Sequence, residues 1–594
     1  YAPRAGRAID EFYDMAIRHD RCLMVRLVKG AYWDTEIKRA QVLGMNGFPV
    51  FTRKAETDVS YIANARKLLG MTDRVYPQFA THNAHTVAAI LHMADDQPFE
   101  FQRLHGMGEA LHDVVMAKHK IPCRIYAPVG AHRDLLAYLV RRLLENGANS
   151  SFVNQLVDLD VPAEEVVADP FAALDQPGLE IPVGPDLFQP ERPNSTGFDL
   201  NHVPTLADVD AARQPHRKAV WAAKPLIAAD PSDGANIDLT NPAHPDDMVG
   251  SVQNASSADV AAAFTAAETW IAPIAERTNI LNKAADLYEA AYGEIFALLC
   301  REAGKTQMDA VAELREAVDF LRYYAAQADD DSVPAGRAVC ISPWNFPLAI
   351  FTGQISAALA AGNAVLAKPA EQTPLVADLA VGLLHQAGVP RTALQLLPGG
   401  GEIGAALTER APDLVAFTGA TATAMRFRQS LAQHAAPGTP LIAETVGRNA
   451  LFVDSSALAV QAVSSIIESA FQSAGQRCSA LRCLYVQEDI ADGVLGMLKG
   501  AMDALHLGDP WQLSTDVGPV IDEAARRTIS DHINQARADG RLLHELPCPT
   551  DGTFVPPALI KVKGIADLEQ EVFGPVLHVA TFKSEDLDRV IDDI

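Results

Sequence analysis

The sequence predicts an α/β protein built from two separate series of parallel βα units. Short apolar runs alternate with amphipathic helical patterns in residues 1–155, and the same alternation returns after residue 330. Strands that alternate with helices of about 10–15 residues are typical of parallel sheets. The first series predicts half of a (β/α)8 barrel, and the second predicts a doubly wound sheet of the dinucleotide-binding type.

The first series contains four βα units. Its predicted strands are Leu23–Val28, Tyr76–Ala80, Phe99–Leu104 and Arg124–Ala127, and its clearest helical patterns are Asn83–Ala94, Gly108–Lys118 and Asp134–Glu145. Polar residues follow these strands at their carboxyl ends, namely Arg26, Lys29, His82, Asn83, His105 and Tyr126. Because barrel enzymes bind their ligands at that end, the pattern predicts a first site there.

A stretch rich in Pro and Asp separates the two series and predicts a linker or arm. Helical patterns follow over residues 257–327, and the second series of strands then begins. Its predicted strands are Ala338–Ile341, Ala364–Ala367, Leu394–Leu397, Leu414–Phe417 and Leu441–Ala443. The expected organisation is a partial barrel over 1–155, a linker over 156–230, a nucleotide-binding part over 231–440 and a further part over 441–594.

Composition restricts the possible functions. The net charge of −26 argues against nonspecific nucleic-acid binding, which depends on Lys and Arg. Seven scattered cysteines favour a reducing compartment, and their spacing predicts no metal site. The sequence starts without Met or a signal-like segment, so we expect an intracellular protein, cut at both ends.

Six short motifs in the second half contain residue types suited to aldehyde oxidation. They are Pro343–Pro347 (PWNFP), Lys368–Glu371 (KPAE), Phe417–Gly419 (FTG), Glu444-Thr445, Gly475–Cys478 (GQRC) and Glu571–Pro575 (EVFGP). A thiolate that attacks a carbonyl must be accessible, and Cys478 follows an arginine in a polar loop. Each motif alone is weak, because a cysteine in such a loop is more often structural than nucleophilic.

Together and in this order, the motifs resemble the aldehyde dehydrogenase superfamily over roughly residues 205–594. The resemblance implies that Cys478 is the nucleophile, that Asn345 binds the oxyanion and that Glu444 is the general base. It also implies that NAD contacts Lys368, Glu371, Thr418, Gly419, Glu571 and Phe573. Two positions depart from the family pattern, since Ala420 replaces the usual Ser and Val446 the common Gly. Cys483 has no motif and is predicted to lie in the core.

The first half contains a second set of motifs. They are Arg26–Trp33 (RLVKGAYW), Thr81–Asn83 (THN), Arg103–Gly108 (RLHGMG), Arg124–Gly130 (RIYAPVG) and Leu139–Asn149 (LVRRLLENGAN). This set resembles the second half of the flavin-dependent proline dehydrogenase barrel. The resemblance implies that FAD contacts Arg26, Val28, Lys29, Gly30, Thr52 and His82, and that proline contacts Tyr126, Arg141 and Arg142.

The two adjacent arginines have another interpretation. Arg141 and Arg142 lie four and three residues before Glu145, so they could be solvated helix residues paired with that carboxylate. Spacing alone favours that interpretation, whereas the surrounding motifs favour a clamp on the substrate carboxylate, which suits bidentate guanidinium groups.

A proline dehydrogenase barrel fused ahead of an aldehyde dehydrogenase is typical of bifunctional enzymes of proline catabolism. We therefore expect FAD-dependent oxidation of proline to pyrroline-5-carboxylate, then NAD-dependent oxidation of glutamate semialdehyde to glutamate through a cysteine thiohemiacetal and thioester. The resemblance implies a cytoplasmic homo-oligomer that contacts the membrane peripherally, where quinone accepts the flavin electrons. Two alternatives remain open: an inactive truncated scaffold, and part of a transcriptional regulator whose DNA-binding module is absent from this sequence.

Overall fold

The computed structural model describes the chain except residues 31, 132–134, 137, 141–168, 176–179, 330–332 and 446. The chain forms two compact units, residues 1–187 and 188–594, called unit 1 and unit 2 below. The division falls inside the stretch predicted as a linker, and part of that stretch, Val203–Arg213, is helical. The predicted bounds of the four regions stay a prediction.

Unit 1 contains a four-stranded parallel sheet whose strands follow one another in chain order, as in half of a (β/α)8 barrel. The strands are β1 (Leu23–Leu27), β2 (Val75–Ala80), β3 (Glu100–Leu104) and β4 (Cys123–Tyr126). The helices are α1 (Ala5–Arg18), α2 (Trp33–Val42), α3 (Lys54–Leu69), α4 (Ala84–Met93) and α5 (Glu109–His119). Asn83 caps α4 by accepting a hydrogen bond from the Thr86 backbone N–H, which explains why that helix begins there.

Unit 2 begins with five helices and a small sheet. The helices are α6 (Val203–Arg213), α7 (Ser257–Ala266), α8 (Ile274–Ala290), α9 (Tyr292–Ala303) and α10 (Gln307–Gln327). The small sheet has the order β5-β7-β6, with β5 (Trp221–Ala223), β6 (Asn236–Asn241) and β7 (His244–Gln253). Capping boxes begin α7 at Ser256 and α10 at Thr306, each with an Asp three residues later that completes the box.

A doubly wound parallel sheet follows, with the order β10-β9-β8-β11-β12. Its strands are β8 (Arg337–Ile341), β9 (Ala364–Lys368), β10 (Leu394–Leu396), β11 (Leu414–Gly419) and β12 (Leu441–Thr445). Its helices are α11 (Ala349–Ala360), α12 (Pro374–Ala387), α13 (Gly401–Thr408) and α14 (Thr421–His434). The α/β class, the half-barrel order and the doubly wound sheet are thereby confirmed.

The last part of unit 2 contains a second five-stranded sheet, with the order β13-β14-β17-β16-β15 and only β15 antiparallel. The strands are β13 (Asn449–Val453), β14 (Leu481–Gln487), β15 (Leu542–Glu545), β16 (Ala558–Lys561) and β17 (Val576–Phe582). The helices are α15 (Ala459–Phe471), α16 (Glu488–Asp503), α17 (Glu523–Ala538) and α18 (Leu587–Asp592). None of the helices in the described ranges is long and apolar enough to cross a bilayer.

Candidate active sites

Four of the six second-half motifs meet at the carboxyl edge of the doubly wound sheet. Asn345 follows β8, Lys368 ends β9, and Thr418 and Glu444 lie near the ends of β11 and β12. The strand register aligns Ile341 with Lys368 and Thr418 with Glu444, so these ends lie level with one another. The strand order reverses between β8 and β11, and ligands bind at such switch points in open α/β sheets. This edge is therefore the candidate dinucleotide site.

The loop that carries Cys478 has an unusual backbone. Ser473, Ala474 and Gly475 all have positive φ values, of 54°, 53° and 66°. Such angles cost free energy for residues with a side chain and persist only where the surroundings hold them. The Gln476 side chain donates to the Ser473 backbone oxygen (3.2 Å), and further along the loop the Asn449 Nδ2 donates to the backbone oxygens of Cys478 (2.7 Å) and Ala480 (3.0 Å).

Cys478 is exposed and lines a cavity of about 270 Å³. Phe346 and Ile350, which follow Asn345 in the chain, line the same cavity. The structure thus brings the cysteine loop and the segment of Asn345 to one cavity. Glu444 is exposed on the edge strand β12, and it is not among the described residues that line this cavity.

Four charged residues line the cavity, namely Lys305, Asp309, Glu316 and Arg477. Burial raises the pKa of Glu316 above its usual value, and Lys305 and Arg477 oppose that shift. The Arg477 Nε is buried and has no hydrogen-bond partner among the described residues. Sequence reasoning missed these residues as a set, although Asp309 and Glu316 lie seven residues apart on one face of α10. The cavity can therefore receive a substrate that carries both charge signs.

Lys368 and Glu371 differ in burial, since the first is buried and the second is exposed. The buried Lys368 Nζ donates to the backbone oxygens of Pro369 (2.6 Å) and Gly399 (2.7 Å), and burial lowers its pKa. Glu371 is exposed, with its Oε2 3.9 Å from the Lys368 Nζ. Since its carboxylate projects from the end of β9, it can accept hydrogen bonds from ribose hydroxyls.

The Glu571 motif packs against the cysteine loop through a buried arginine. Arg482 is completely buried, and its guanidinium donates to Glu571 Oε1 (2.8 Å) and to the backbone oxygens of Gly574 (3.2 Å) and Arg477 (3.1 Å). Phe573 lies between the Trp344 ring, at 5.5 Å, and this guanidinium, at 5.3 Å. Three motifs therefore form one packed group.

The second carboxylate oxygen of Glu571 tests whether these residues fit a dinucleotide. Glu571 Oε2 is buried and has no hydrogen-bond partner among the residues that the structure describes. Burial raises the pKa of Glu571, and Arg482 opposes the shift. A buried acceptor without a donor is costly, and a ribose hydroxyl supplies a donor of the right kind. The donor set thus fits a dinucleotide at this edge.

In unit 1, five of the six predicted flavin residues lie at or just after the carboxyl ends of β1 and β2. Arg26 and Val28 are exposed at the end of β1, and the Arg26 guanidinium lies 5.9 Å from the centre of the Tyr126 ring at the end of β4. The His82 Nε2, after β2, accepts a hydrogen bond of 3.2 Å from the Leu104 backbone N–H. Basic and aromatic groups therefore share the edge that the sequence predicts for a ligand.

Lys29 is already paired. Its ammonium forms an ion pair with Asp58 and donates to the Thr86 hydroxyl at 3.3 Å, while burial lowers its pKa. Gly30 adopts a φ of +100°, which favours glycine, and Thr52 lies half-buried in the loop before α3. Arg141, Arg142 and Val446 lie outside the described residues, so their predicted roles stay predictions.

The comparisons with known proteins define the class. Residues 229–592 match the aldehyde dehydrogenase family, and residues 1–155 match proline dehydrogenase. The chain belongs to the aldehyde dehydrogenase family, and its first 155 residues, in unit 1, are similar to proline dehydrogenase. The match to these two families confirms the resemblances inferred from the motifs. The proline dehydrogenase family implies the use of a flavin, and the aldehyde dehydrogenase family implies the use of NAD(P).

Similar proteins include the bifunctional protein PutA of Klebsiella aerogenes, which is 50% identical over 637 residues, covering 100% of this chain and 48% of that relative. A 1-pyrroline-5-carboxylate dehydrogenase of Geobacillus thermodenitrificans is 34% identical over 387 residues, covering 60% of this chain and 75% of that relative. The crystal structure of a mutant of proline utilization A from Bradyrhizobium japonicum matches with a TM-score of 0.88 and 46% identity, covering 100% of this chain and 60% of that chain. The chain spans about half the length of the curated PutA proteins that it matches.

Proposed function

We propose that the protein takes part in two consecutive steps of proline catabolism. Unit 1 serves the FAD-dependent oxidation of L-proline to pyrroline-5-carboxylate, which hydrolyses to glutamate semialdehyde. Unit 2 oxidises this aldehyde to L-glutamate with NAD. One chain combines a match to proline dehydrogenase with a cavity that is lined by Cys478 and by side chains of both charge signs. This combination is the observation that carries the proposal.

Cys478 is the nucleophile of the second step. Its thiolate sulfur adds to the aldehyde carbon, and the carbonyl electron pair moves to oxygen. The Asn345 side-chain amide and the Cys478 backbone N–H donate hydrogen bonds to that oxyanion. NAD, when bound, supplies the hydride acceptor of the oxidation. Glu444 removes a proton from the water that hydrolyses the Cys478 thioester, a role that rests on the motif resemblance alone.

The charges of the cavity match those of glutamate semialdehyde, which carries an ammonium and a carboxylate. Glu316 attracts the ammonium, and Arg477, with its unpartnered Nε, donates to the carboxylate. A neutral aldehyde of the same length offers no partner to the Arg477 Nε or to the Glu316 carboxylate, so the site discriminates against it.

The NAD contacts follow from the sheet edge. Glu371 accepts from the adenosine ribose, and Lys368 lies beside it at the end of β9. Glu571 accepts from the nicotinamide ribose through its orphan Oε2, and Phe573 packs at the same end. Thr418 and Gly419 lie at the switch point, where the backbone of the chain comes close to the cofactor.

The proline site is proposed for unit 1. FAD, when bound, supplies the two-electron acceptor of the first oxidation. Arg26, Val28, Lys29, Gly30, Thr52 and His82 are proposed to hold it, and Tyr126, Arg141 and Arg142 to bind proline. The shared strand edge of Arg26, His82 and Tyr126 supports this assignment. Quinone reduction at a membrane and homo-oligomer formation stay predictions from the resemblance.

The second step is tested with full-length protein, NAD and pyrroline-5-carboxylate, by following NADH formation. Cys478→Ala is expected to lower kcat by at least about 1,000-fold, because the covalent route is lost. Cys22→Ala is the matched control, since Cys22 is also exposed and lies in unit 1. Retained activity in Cys478→Ala contradicts the nucleophile assignment, and an unmodified protein that binds NAD without forming NADH supports the scaffold alternative.

The first step is tested by the flavin spectrum of the full-length protein and by proline-dependent reduction of a dye. Arg142→Ala is expected to raise the KM for proline at least about tenfold and to leave the aldehyde step unchanged, because only one carboxylate clamp is lost. Arg7→Ala on the exposed face of α1 is the control and is expected to change neither KM. An unchanged KM in Arg142→Ala favours the solvated-helix interpretation.

A further inference from the structure

A buried ion pair lies directly behind the segment that carries Asn345. Lys305 precedes α10 and Glu313 lies within it, and their side chains are 6% and 1% exposed, with 3.2 Å between Nζ and Oε1. Burying both charges costs desolvation free energy, which an ion pair recovers only with good geometry and further hydrogen bonds. The pair therefore needs partners beyond itself.

Those partners are the two ends of one short segment. The Lys305 ammonium donates to the backbone oxygen of Asn345 and lies 4.6 Å from the centre of the Phe346 ring. Glu313 Oε2 accepts from the backbone N–H groups of Leu348 (3.3 Å) and Ala349 (2.9 Å), at the start of α11. One ion pair thus fixes residues 345–349 from both ends.

The same segment determines where the Asn345 amide points. An oxyanion donor is effective only when it is held within a few tenths of an ångström of the developing charge. Lys305 also lines the Cys478 cavity, so it lies between the reacting region and the carboxylate behind it. No other ion pair described for unit 2 binds backbone atoms of this segment.

We propose that Lys305 and Glu313 are positioning residues that hold the Asn345 amide in its oxyanion-binding orientation. This inference rests on the proposed oxidation at Cys478. It predicts that the pair supports every reaction of Cys478 that passes through an oxyanion and leaves other reactions of the same thiol unaffected.

Two probes of Cys478 separate positioning from general damage. p-Nitrophenyl acetate acylates the thiol through a tetrahedral oxyanion and releases p-nitrophenolate, whereas iodoacetamide alkylates it by direct displacement without an oxyanion. In full-length Lys305→Met, the acylation rate is expected to fall about 10- to 100-fold, somewhat less than for removal of an oxyanion donor itself. The alkylation rate is expected to stay within about threefold.

A double-variant comparison tests whether Lys305 acts through Asn345. In an Asn345→Ala background, Lys305→Met is expected to lower acylation by less than about threefold, because the group it positions is gone. Equal losses in both backgrounds, a parallel loss of alkylation, or unchanged acylation in Lys305→Met each overturn the inference. Retained aldehyde oxidation in Cys478→Ala overturns the proposed function instead, so the two failures are distinguishable.

Two further variants control for misfolding. Glu313→Gln keeps an acceptor for the Leu348 and Ala349 N–H groups, and the same comparison of acylation with alkylation applies to it if Lys305→Met does not fold. Arg322→Met removes another buried cation of α10, which pairs with the more exposed Glu289 and Asp286. This variant is expected to have a lower unfolding temperature and an unchanged acylation rate. If its acylation rate also falls, the loss in Lys305→Met is due to general destabilisation and the inference is overturned.

Discussion

Adding one methyl group at Gly475 tests whether the loop geometry creates the site. Gly475 has a φ of +66°, in the left-handed region that favours glycine. A Cβ atom there lies 2.2 Å from the backbone oxygen of Gly574 and 2.9 Å from that of Ala470. Both neighbours are backbone atoms, so neither can rotate away. Gly475→Ala must therefore displace the cysteine loop or the Glu571 segment.

The size of the displacement follows from the contact distances. Ordinary contact for a Cβ atom begins at 3.4 Å, so the loop must shift by about 1.2 Å to accommodate the methyl group. A misplacement of about 1 Å in a reacting group costs about 100-fold in rate. The left-handed backbone adds about 1 kcal/mol of strain. We therefore expect a fall of about 100-fold in kcat and a loss of about 1–3 kcal/mol in the free energy of unfolding.

The assay compares kcat for aldehyde oxidation with the free energy of unfolding in urea. Gly493→Ala is the matched control, because Gly493 lies in α16 with nothing within 4 Å of its added Cβ. This control is expected to keep full activity and to gain about 0.5–1 kcal/mol from helix propensity. A kcat for Gly475→Ala within about threefold of the unmodified enzyme refutes the argument, because the loop then tolerates the shift without loss of alignment.

Three more predictions concern single side chains. Iodoacetamide should label Cys478 before Cys340 and Cys483, since burial raises the pKa values of these two thiols to about 12 and about 11; faster labelling of either buried cysteine in peptide mapping contradicts this. NAD should exceed NADP in kcat/KM by at least about tenfold, because Glu371 repels a 2′-phosphate, and Glu371→Gln should narrow the ratio; an unchanged ratio in steady-state assays removes that role. Burial, with a neighbouring histidine second, lowers the pKa of His578 from 6.5 to about 4. The unfolded chain therefore binds this proton more readily than the folded chain does. The contribution of His578 to the free energy of unfolding is complete above about pH 6.5 and falls by roughly 2–3 kcal/mol towards pH 4. In urea unfolding, His578→Gln should reduce the dependence of the free energy of unfolding on pH, and an equal pH dependence in both proteins contradicts the assignment.

The sequence predicted β8, β9 and β10 to within one residue at either end because these strands are buried. The run Ala364–Ala367 forms β9 as Ala364–Lys368, and every residue of that strand is buried. A run of apolar residues between a turn and a charged motif therefore marks both ends of such a strand. Cys483 confirms the same logic, because it is fully buried in β14, as its apolar surroundings predict.

The pairing of charged residues was not predictable in this way. Arg482 lies within an apolar strand, and its partner Glu571 is 89 residues further along the chain. Lys305 likewise bonds to the backbone of a residue 40 positions away. Periodicity reports which face of an element is buried but carries no information on which distant group meets it there. The charged cavity and the ion pair behind Asn345 therefore became visible only in the folded chain.

The burial of an arginine beside the active-site loops has a physical reason. An apolar residue in place of Arg482 would avoid the desolvation cost but would leave Glu571 and two backbone carbonyls without donors. With the guanidinium in place, neither the cysteine loop nor the Glu571 segment can move without leaving a buried donor unpaired. The cysteine loop and the Glu571 segment are therefore joined through one guanidinium. The proposed covalent attack and hydride transfer require reacting atoms held about 3–3.5 Å apart, and the shared guanidinium ties the segment of the proposed nucleophile to that of the proposed cofactor contact.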